Sequence, residues 1–430
     1  MKRFPKFNNL LFPLFAHASR KREVFVPIIL ILLSACTEPL DRNQKTEKPL
    51  SFSPLKIGDA PGDPPWITDI DIEDIDQDGR LDIVFTEGRL HEVRILYQYE
   101  PDAYIEKLAS SEVKGPAHLE ALDFDGDGDT DLLVASMGVI FPNNSRIGSV
   151  VFLEQLQDRS FKKHILIDSV ARVTDAQAAD LDDDGDLDLV LAQFGYEQGE
   201  IRWMENLGNL QFKSHILLQL PGAIHSPTAD FDGDGDLDIA ALVSQEWEEV
   251  HLFENTGQHS FKQRSLYGST NEDFGSSGIS VVDLDQDGDP DILYTNGDTF
   301  DYATPGPRPW HGVQWLENQG ELSFEYHRIG TFPGAFSPFA SDLDGDGDLD
   351  VLAVSCFNHW TDEGSVAVTS FLNDGEQNFT ELPIAYAPTH LAVVEAADIN
   401  GDGQVEFVTG SFHAYPPYDQ LNRITLWKRD

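Results

Sequence analysis

Short apolar runs recur along the chain from about residue 51, each too short for a helix and each bounded by turn residues. LDIVF follows Gly79, LDLVLA follows Gly185 and LDIAAL follows Gly235, and every such run comes directly after a knot of acidic residues. Another short segment precedes the knot, as in TDAQAAD before Leu181. Brief aliphatic and β-branched runs between turn signals read as strands, so the local unit is strand, acidic loop, strand. Each unit then carries an aromatic in a new apolar run, at Tyr97, Phe152, Trp203, Phe253, Trp315, Phe371 and Trp427. Turns such as ENLGN, ENTGQ, ENQGE and NDGEQ follow, and then a second aromatic at Tyr104, Phe161, Phe212, Phe261, Phe324 or Phe379. The unit therefore predicts four strands, A to D, with the acidic loop between A and B and the aromatics packing one sheet on the next.

The acidic pattern Asp-x-Asp-x-Asp-Gly-x-x-Asp begins at Asp74, Asp123, Asp180, Asp230, Asp283 and Asp342, with a variant at Asp398. Four-strand units at this period are how propeller blades read. The seventh unit reaches only its third strand at Trp427, while LSFSPLKIG near residue 51, with Phe52, supplies a fourth. The expected fold is all-β: a seven-bladed β-propeller of four-stranded blades over residues 51–430, its ring closed by the N-terminal strand pairing with the last blade. Closure removes a sheet edge that would otherwise invite aggregation.

Within each loop, positions 1, 3, 5 and 9 gather carboxylates around one point, and the glycine at position 6 permits a sharp turn. The sets are Asp74, Asp76, Asp78 and Asp82; Asp123, Asp125, Asp127 and Asp131; Asp180, Asp182, Asp184 and Asp188; and Asp230, Asp232, Asp234 and Asp238. Three more are Asp283, Asp285, Asp287 and Asp291; Asp342, Asp344, Asp346 and Asp350; and Asp398, Asn400, Asp402 and Glu406. Hard oxygen donors in this number, with a backbone carbonyl at position 7, suit calcium better than magnesium, which keeps its waters. Up to seven calcium ions are expected, mainly structural, with the weakest site in the seventh loop, which has one carboxylate fewer. Solvated acidic turns without metal are the alternative, but carboxylates this crowded repel unless a cation sits between them.

The net charge of −46 excludes a nucleic-acid partner, since phosphate binding needs clustered Lys and Arg. The few basic residues gather partly at the N-terminus: Lys2, Arg3, Lys6, Arg20, Lys21 and Arg22 precede an apolar run from Val24 to Leu33, then Ser34-Ala35-Cys36. This arrangement resembles a bacterial lipoprotein signal. The resemblance implies a signal peptide over residues 1–35, acylation of Cys36, and a polar tether over residues 36–50. It also implies a lipid-anchored protein of the bacterial cell envelope, at the outer membrane because Thr37 follows the cysteine. The other cysteine, Cys356, lies in the apolar run VLAVSC and reads as a buried small hydrophobe.

The DxDxDGxxD loops, the turns Trp203-Met204-Glu205-Asn206 and Trp315-Leu316-Glu317-Asn318, and the phenylalanines that follow resemble the FG-GAP/VCBS repeat, the unit of integrin α-chain propellers. The resemblance covers residues 51–430. It implies the propeller and its calcium, and it implies that the B–C loops lie on the face opposite the metal loops, where relatives bind ligand. Four of those loops are long and carry most of the candidate ligand residues: Phe141, Phe300, Tyr302, Trp310, His311, His359, Trp360, His413 and Tyr415. Trp247 sits in a shorter loop of the same kind. Aromatics beside Asn, Asp and His serve sugar-stacking and protein-binding surfaces, and they equally serve to pack loops onto a scaffold.

Three readings follow: a secreted, lipid-anchored binding or adhesion module for a glycan or protein, a carbohydrate-active enzyme resembling a polysaccharide lyase, or a scaffold subunit of an envelope complex. The enzyme reading looks to His311, His359 and His413 on the loops and to His118, Glu120, Asp175 and His225 near the starts of A strands. HExxH, GxSxG and phosphate-loop spacings are absent from the sequence, so binding is the favoured reading and no catalytic residue is assigned.

Overall fold

The computed structural model describes residues 50–430, apart from Pro142 and Glu246. The expected signal peptide, Cys36 and the tether up to residue 49 lie outside the described residues. Seven antiparallel sheets follow one another in chain order around a ring. Blade 1 comprises Ile67–Glu73, Asp82–Glu87, Glu92–Glu100 and Ala103–Ser110, from the inner strand A to the outer strand D. The same order repeats through blade 6. In blade 4 strand A is split into Ala223–His225 and Thr228–Ala229 around Pro227, which has no N–H to give to a ladder. Blade 7 takes Leu391–Ala397, Glu406–Ser411 and Ile424–Arg429, and its outer strand is the N-terminal Phe52–Ile57. That strand pairs from Phe52 opposite Arg429 to Ile57 opposite Ile424, closing the ring as the sequence predicts.

The aliphatic runs after the acidic loops are the B strands, and they are buried throughout, on both faces. This accounts for their continuous rather than alternating hydrophobicity. All seven strand-C aromatics are buried, but they do not share one register. Phe152, Trp203 and Trp315 pack against the following blade, whereas Phe253, Phe371 and Trp427 pack against the preceding one. The blade 3–blade 4 interface thereby receives both Trp203 and Phe253.

Two features of strand A shape the channel. Each A strand shifts register near its start, between Ile67 and Asp69 in blade 1 and between Val173 and Asp175 in blade 3. The same shift occurs in the other five blades. A bulge re-aims the next side chain, and here it brings Asp69, His118, Asp175 and His225 to the wall of one central cavity. The inner edge of each A strand also lacks a strand partner, so its backbone groups need side-chain partners. Asp69 accepts from the Leu119 amide at 2.7 Å, Asp71 from Ala121 at 2.8 Å, Glu120 from Ala178 at 2.9 Å and Asp175 from Ser226 at 2.6 Å. Ser277 donates to the Ala335 carbonyl at 2.7 Å, and the Ser337 hydroxyl accepts from the Val394 amide at 3.0 Å.

Candidate functional site

The acidic loops sit between strands A and B on one face of the ring. The position-1 carboxylate folds into its own loop: Asp74 accepts from the Asp78 amide at 3.0 Å and from Gly79 at 2.8 Å, with Gly79 in the left-handed region at φ 88°. The position-9 carboxylate also anchors the loop. Asp82 accepts from the Ile75 amide at 3.2 Å and from the Gln98 amide at 2.8 Å, which ties the loop to strand C. Asp131, Asp188, Asp238, Asp291 and Asp350 repeat the tie to Gln155, Asn206, Asn255, Asn318 and Asn373. The Asn of the sequence motif Glu-Asn marks this contact. Burial pushes Asp82, Asp131, Asp238 and Asp291 up to about 7, and Asp188 and Asp350 up to about 6.

Positions 1, 3 and 5 converge. One oxygen from each of Asp74, Asp76 and Asp78 lies within 4.8 Å of the others, and the same holds in the loops beginning at Asp123, Asp180 and Asp230. Burial first, and then the position-5 carboxylate, raises the position-3 carboxyls Asp125, Asp182, Asp232, Asp285 and Asp344. Oδ1 of Asp76 and Oδ1 of Asp182 are buried without a hydrogen-bond partner. An all-oxygen donor set with orphaned, buried carboxylate oxygens fits a hard divalent cation.

On the opposite face the channel opens into a funnel of about 400 Å³, floored by Asp69, His118, Asp175 and His225. His118 Nδ1 lies 3.2 Å from Asp175 Oδ1, and His118 Nε2 lies 3.8 Å from Asp69. Burial works against charge on both partners. The carboxylates Asp175, Asp69 and Glu120 nonetheless raise His118, and the imidazoles of His118 and His225 hold Asp175 below the usual carboxylate range. Asp69 and Glu120, buried beside other acids, are pushed up to about 7. The floor thus sets an imidazole raised by its neighbours beside a lowered carboxyl, with two further carboxyls that titrate near neutrality. On the wall, Arg172 donates to the carbonyls of Ile140 and Phe141, both at 3.0 Å, and its guanidinium lies 4.7 Å over the Phe194 ring.

The candidate ligand residues divide. Phe141 lines the funnel, edge-on to Trp66 at 5.1 Å. Phe300 stands between the funnel and a neighbouring groove of about 530 Å³, packed on Phe357 at 4.8 Å and Phe412 at 5.4 Å. Tyr302 lines that groove, with the Arg308 guanidinium 4.3 Å over its ring. Tyr415 is half-buried beside Phe300, and His359 is exposed. The others serve packing. Trp310 donates its indole N–H to the Asp273 carbonyl at 2.7 Å, Trp360 packs against the blade 6–blade 7 core, and His311 and His413 are buried. Trp247, by contrast, is 56% exposed at the groove. Tyr196, which the sequence reading passed over, crosses the funnel mouth to bond Asp301. Its only sequence signal is an aromatic two residues after Phe194 in a short loop.

Three buried histidines support the long loops. Burial lowers His311 and His413 to about 4 and His390 to about 3. These pKa values lie below the unfolded value of about 6.5, so the stability that the neutral rings contribute is full above pH 6.5 and is lost as the pH falls towards 4. Each histidine's own share in urea unfolding at saturating calcium is expected to be a loss of about 2 kcal/mol between pH 7 and pH 5, set against the opposite contribution of carboxyls such as Asp69 and Glu120 that are raised to about 7. His413→Gln is expected to remove its share; an unchanged slope would mean that His413 is already protonated in the fold.

Residues 74–134, 123–191, 180–241 and 230–294 each match the model of the FG-GAP-like repeat. No curated protein matches the chain. Each matched segment runs from one acidic loop through the next, ending on the following B strand, and the structure continues the same unit through the loops at Asp342 and Asp398. With the matches spanning more than half of the chain and seven four-stranded blades closed into a ring, the chain belongs to the FG-GAP-like repeat family, whose propellers generally serve as binding or adhesion modules.

Proposed function

We propose that the chain is a calcium-loaded binding module, held at the bacterial outer membrane by a lipid on Cys36, that takes a glycan or protein ligand on the face opposite the acidic loops. The observation that carries this reading is the pair of adjoining cavities on that face, with Trp247 exposed at their edge. Their charge narrows the ligand. Asp175 lines the funnel, Asp301 lines both cavities, and Glu272 and Asp273 line the groove, while burial pushes Asp69 and Asp298 up to about 7 and holds Glu395 and Glu248 above the usual carboxylate range. Among the described residues Arg172 is the one arginine in either lining, and neither lining contains a lysine. Uncharged sugars or a surface bearing positive charge suit such walls, while a strongly acidic polysaccharide is repelled.

The test is to offer residues 37–430, loaded with calcium, to a panel of neutral, basic and acidic polysaccharides, recording retained protein and new sugar ends together. Retention on a neutral or basic polymer is expected, without new ends, and Trp247→Ala is expected to weaken it about tenfold. Trp310→Ala serves as the packing control and should lower stability more than it lowers binding. New reducing or unsaturated ends would replace the binding reading with an enzymatic one. Silence on both counts would transfer the role to a protein partner.

A further inference from the structure

We propose a transition-metal site on the acidic-loop face, clamping blade 3 to blade 4 through Asp182, Glu205 and His259. One donor atom from each of these residues lies within 4.8 Å of the other two, and His259 Nδ1 is 3.5 Å from Asp182 Oδ2. Asp182 and Glu205 belong to blade 3. His259 comes from the C–D turn of blade 4, two residues before Phe261.

The argument starts from an equivalent junction. Arg159, two residues before Phe161 in the C–D turn of blade 2, reaches back to position 3 of the first loop. Its guanidinium bonds Asp76 Oδ2 at 2.6 Å and the Asp76 carbonyl at 2.7 Å. A positive charge therefore belongs at this spot, against a position-3 carboxylate whose other oxygen is buried and unpartnered. The blade 3–blade 4 junction has the same carboxylate. The Asp182 side chain is only 8% exposed and its Oδ1 has no hydrogen-bond partner. In place of the guanidinium stands an imidazole, which brings a nitrogen lone pair where arginine brings a charge. The adjacent carboxylate is already oriented, because Glu205 Oε2 accepts from Lys213 at 2.7 Å and pairs with His215 Nε2 at 2.6 Å.

One imidazole nitrogen and two carboxylates form a donor set for zinc, nickel or cobalt rather than calcium, which takes oxygen alone. Asp182 then serves two cations, one oxygen for each, as carboxylates do in two-metal sites. The half-exposed His259 ring leaves an entry path from solvent. It also stacks at 5.6 Å on Trp203, which packs against His215 at 4.4 Å and Phe261 at 5.6 Å as well. A paramagnetic metal bound at His259 will therefore quench that indole.

The experiment is a calorimetric titration of the calcium-saturated protein with Ni²⁺ and with Zn²⁺, with tryptophan emission followed in parallel. One equivalent beyond the calcium is expected to bind, with partial quenching by Ni²⁺. His259→Gln should weaken it at least about tenfold, leaving the calcium titration and circular dichroism unchanged, and Glu205→Gln should weaken it too. His259→Arg restores the arrangement seen at Asp76, and it should abolish metal binding while keeping the melting temperature. Failure of the wild-type protein to take either metal above its calcium complement would overturn the proposal, as would full binding by the His259→Gln variant. Neither result bears on the ligand face, which lies at the other end of the channel.

Discussion

Stripping calcium is expected to lower the melting temperature of the propeller by about 10 °C or more. Extracellular calcium modules bind with dissociation constants of roughly 0.1–1 mM. At ten times that concentration each site stabilises the fold by about 1.4 kcal/mol. Seven such sites amount to about 10 kcal/mol, comparable with the whole stability of a domain. The structure gives the physical reason. In the loops at Asp74, Asp123, Asp180 and Asp230 three carboxylates converge within 4.8 Å, and buried oxygens of Asp76 and Asp182 have no partner of their own. Thermal scans with excess chelator and with millimolar calcium measure the difference directly. Single substitutions should grade it: Asp180→Asn in a full loop costs more than Asp398→Asn in the seventh, where Asn400 already leaves the set one charge short. A melting temperature indifferent to the chelator would remove calcium from the account.

The second large effect concerns the N-terminal strand. Phe52 packs edge-on against Phe407 at 4.9 Å within the blade 6–blade 7 core, and Ile57 packs in the core shared by blades 7 and 1. Phe52→Ala is expected to cost about 3–5 kcal/mol, as for other large aromatics removed from a core. Deleting residues 50–57 should do more. It strips the partner from Ile424–Arg429 and leaves an open hydrophobic edge in blade 7, an invitation to pair with another chain. Urea unfolding reads the first variant and size-exclusion chromatography the second. A deletion variant that stays monomeric with its melting temperature intact would mean that the ring does not depend on this closure.

The regular parts of the molecule were legible because they repeat. Blade number, closure by LSFSPLKIG and the convergence of positions 1, 3 and 5 all follow from one motif read seven times. The irregular parts were not, because they depend on contacts between blades. The register shift near the start of each A strand leaves no mark in composition, yet it decides that Asp69, His118, Asp175 and His225 meet in one funnel. The tie from position 9 to strand C was hidden for a similar reason, since those partners lie well along the chain. Loop length misled about exposure. The long loops fold back, so Trp310 and Trp360 become packing residues, while Trp247 in a shorter loop remains outside.

The inner-strand contacts have a direction. Asp69 and Asp71 of blade 1 hold Leu119 and Ala121 of blade 2, Glu120 of blade 2 holds Ala178 of blade 3, and Asp175 of blade 3 holds Ser226 of blade 4. Ser277 and Ser337 continue this from blade 5 to 6 and from blade 6 to 7. In each case the side chain belongs to the earlier blade and the backbone to the later one. A chain emerging from its N-terminus therefore offers blades 2, 3, 4, 6 and 7 a waiting hydrogen-bond partner. The ring can grow like a row of links, each hooking the next as it arrives, with the clasp fastened only when Ile424–Arg429 returns to Phe52–Ile57.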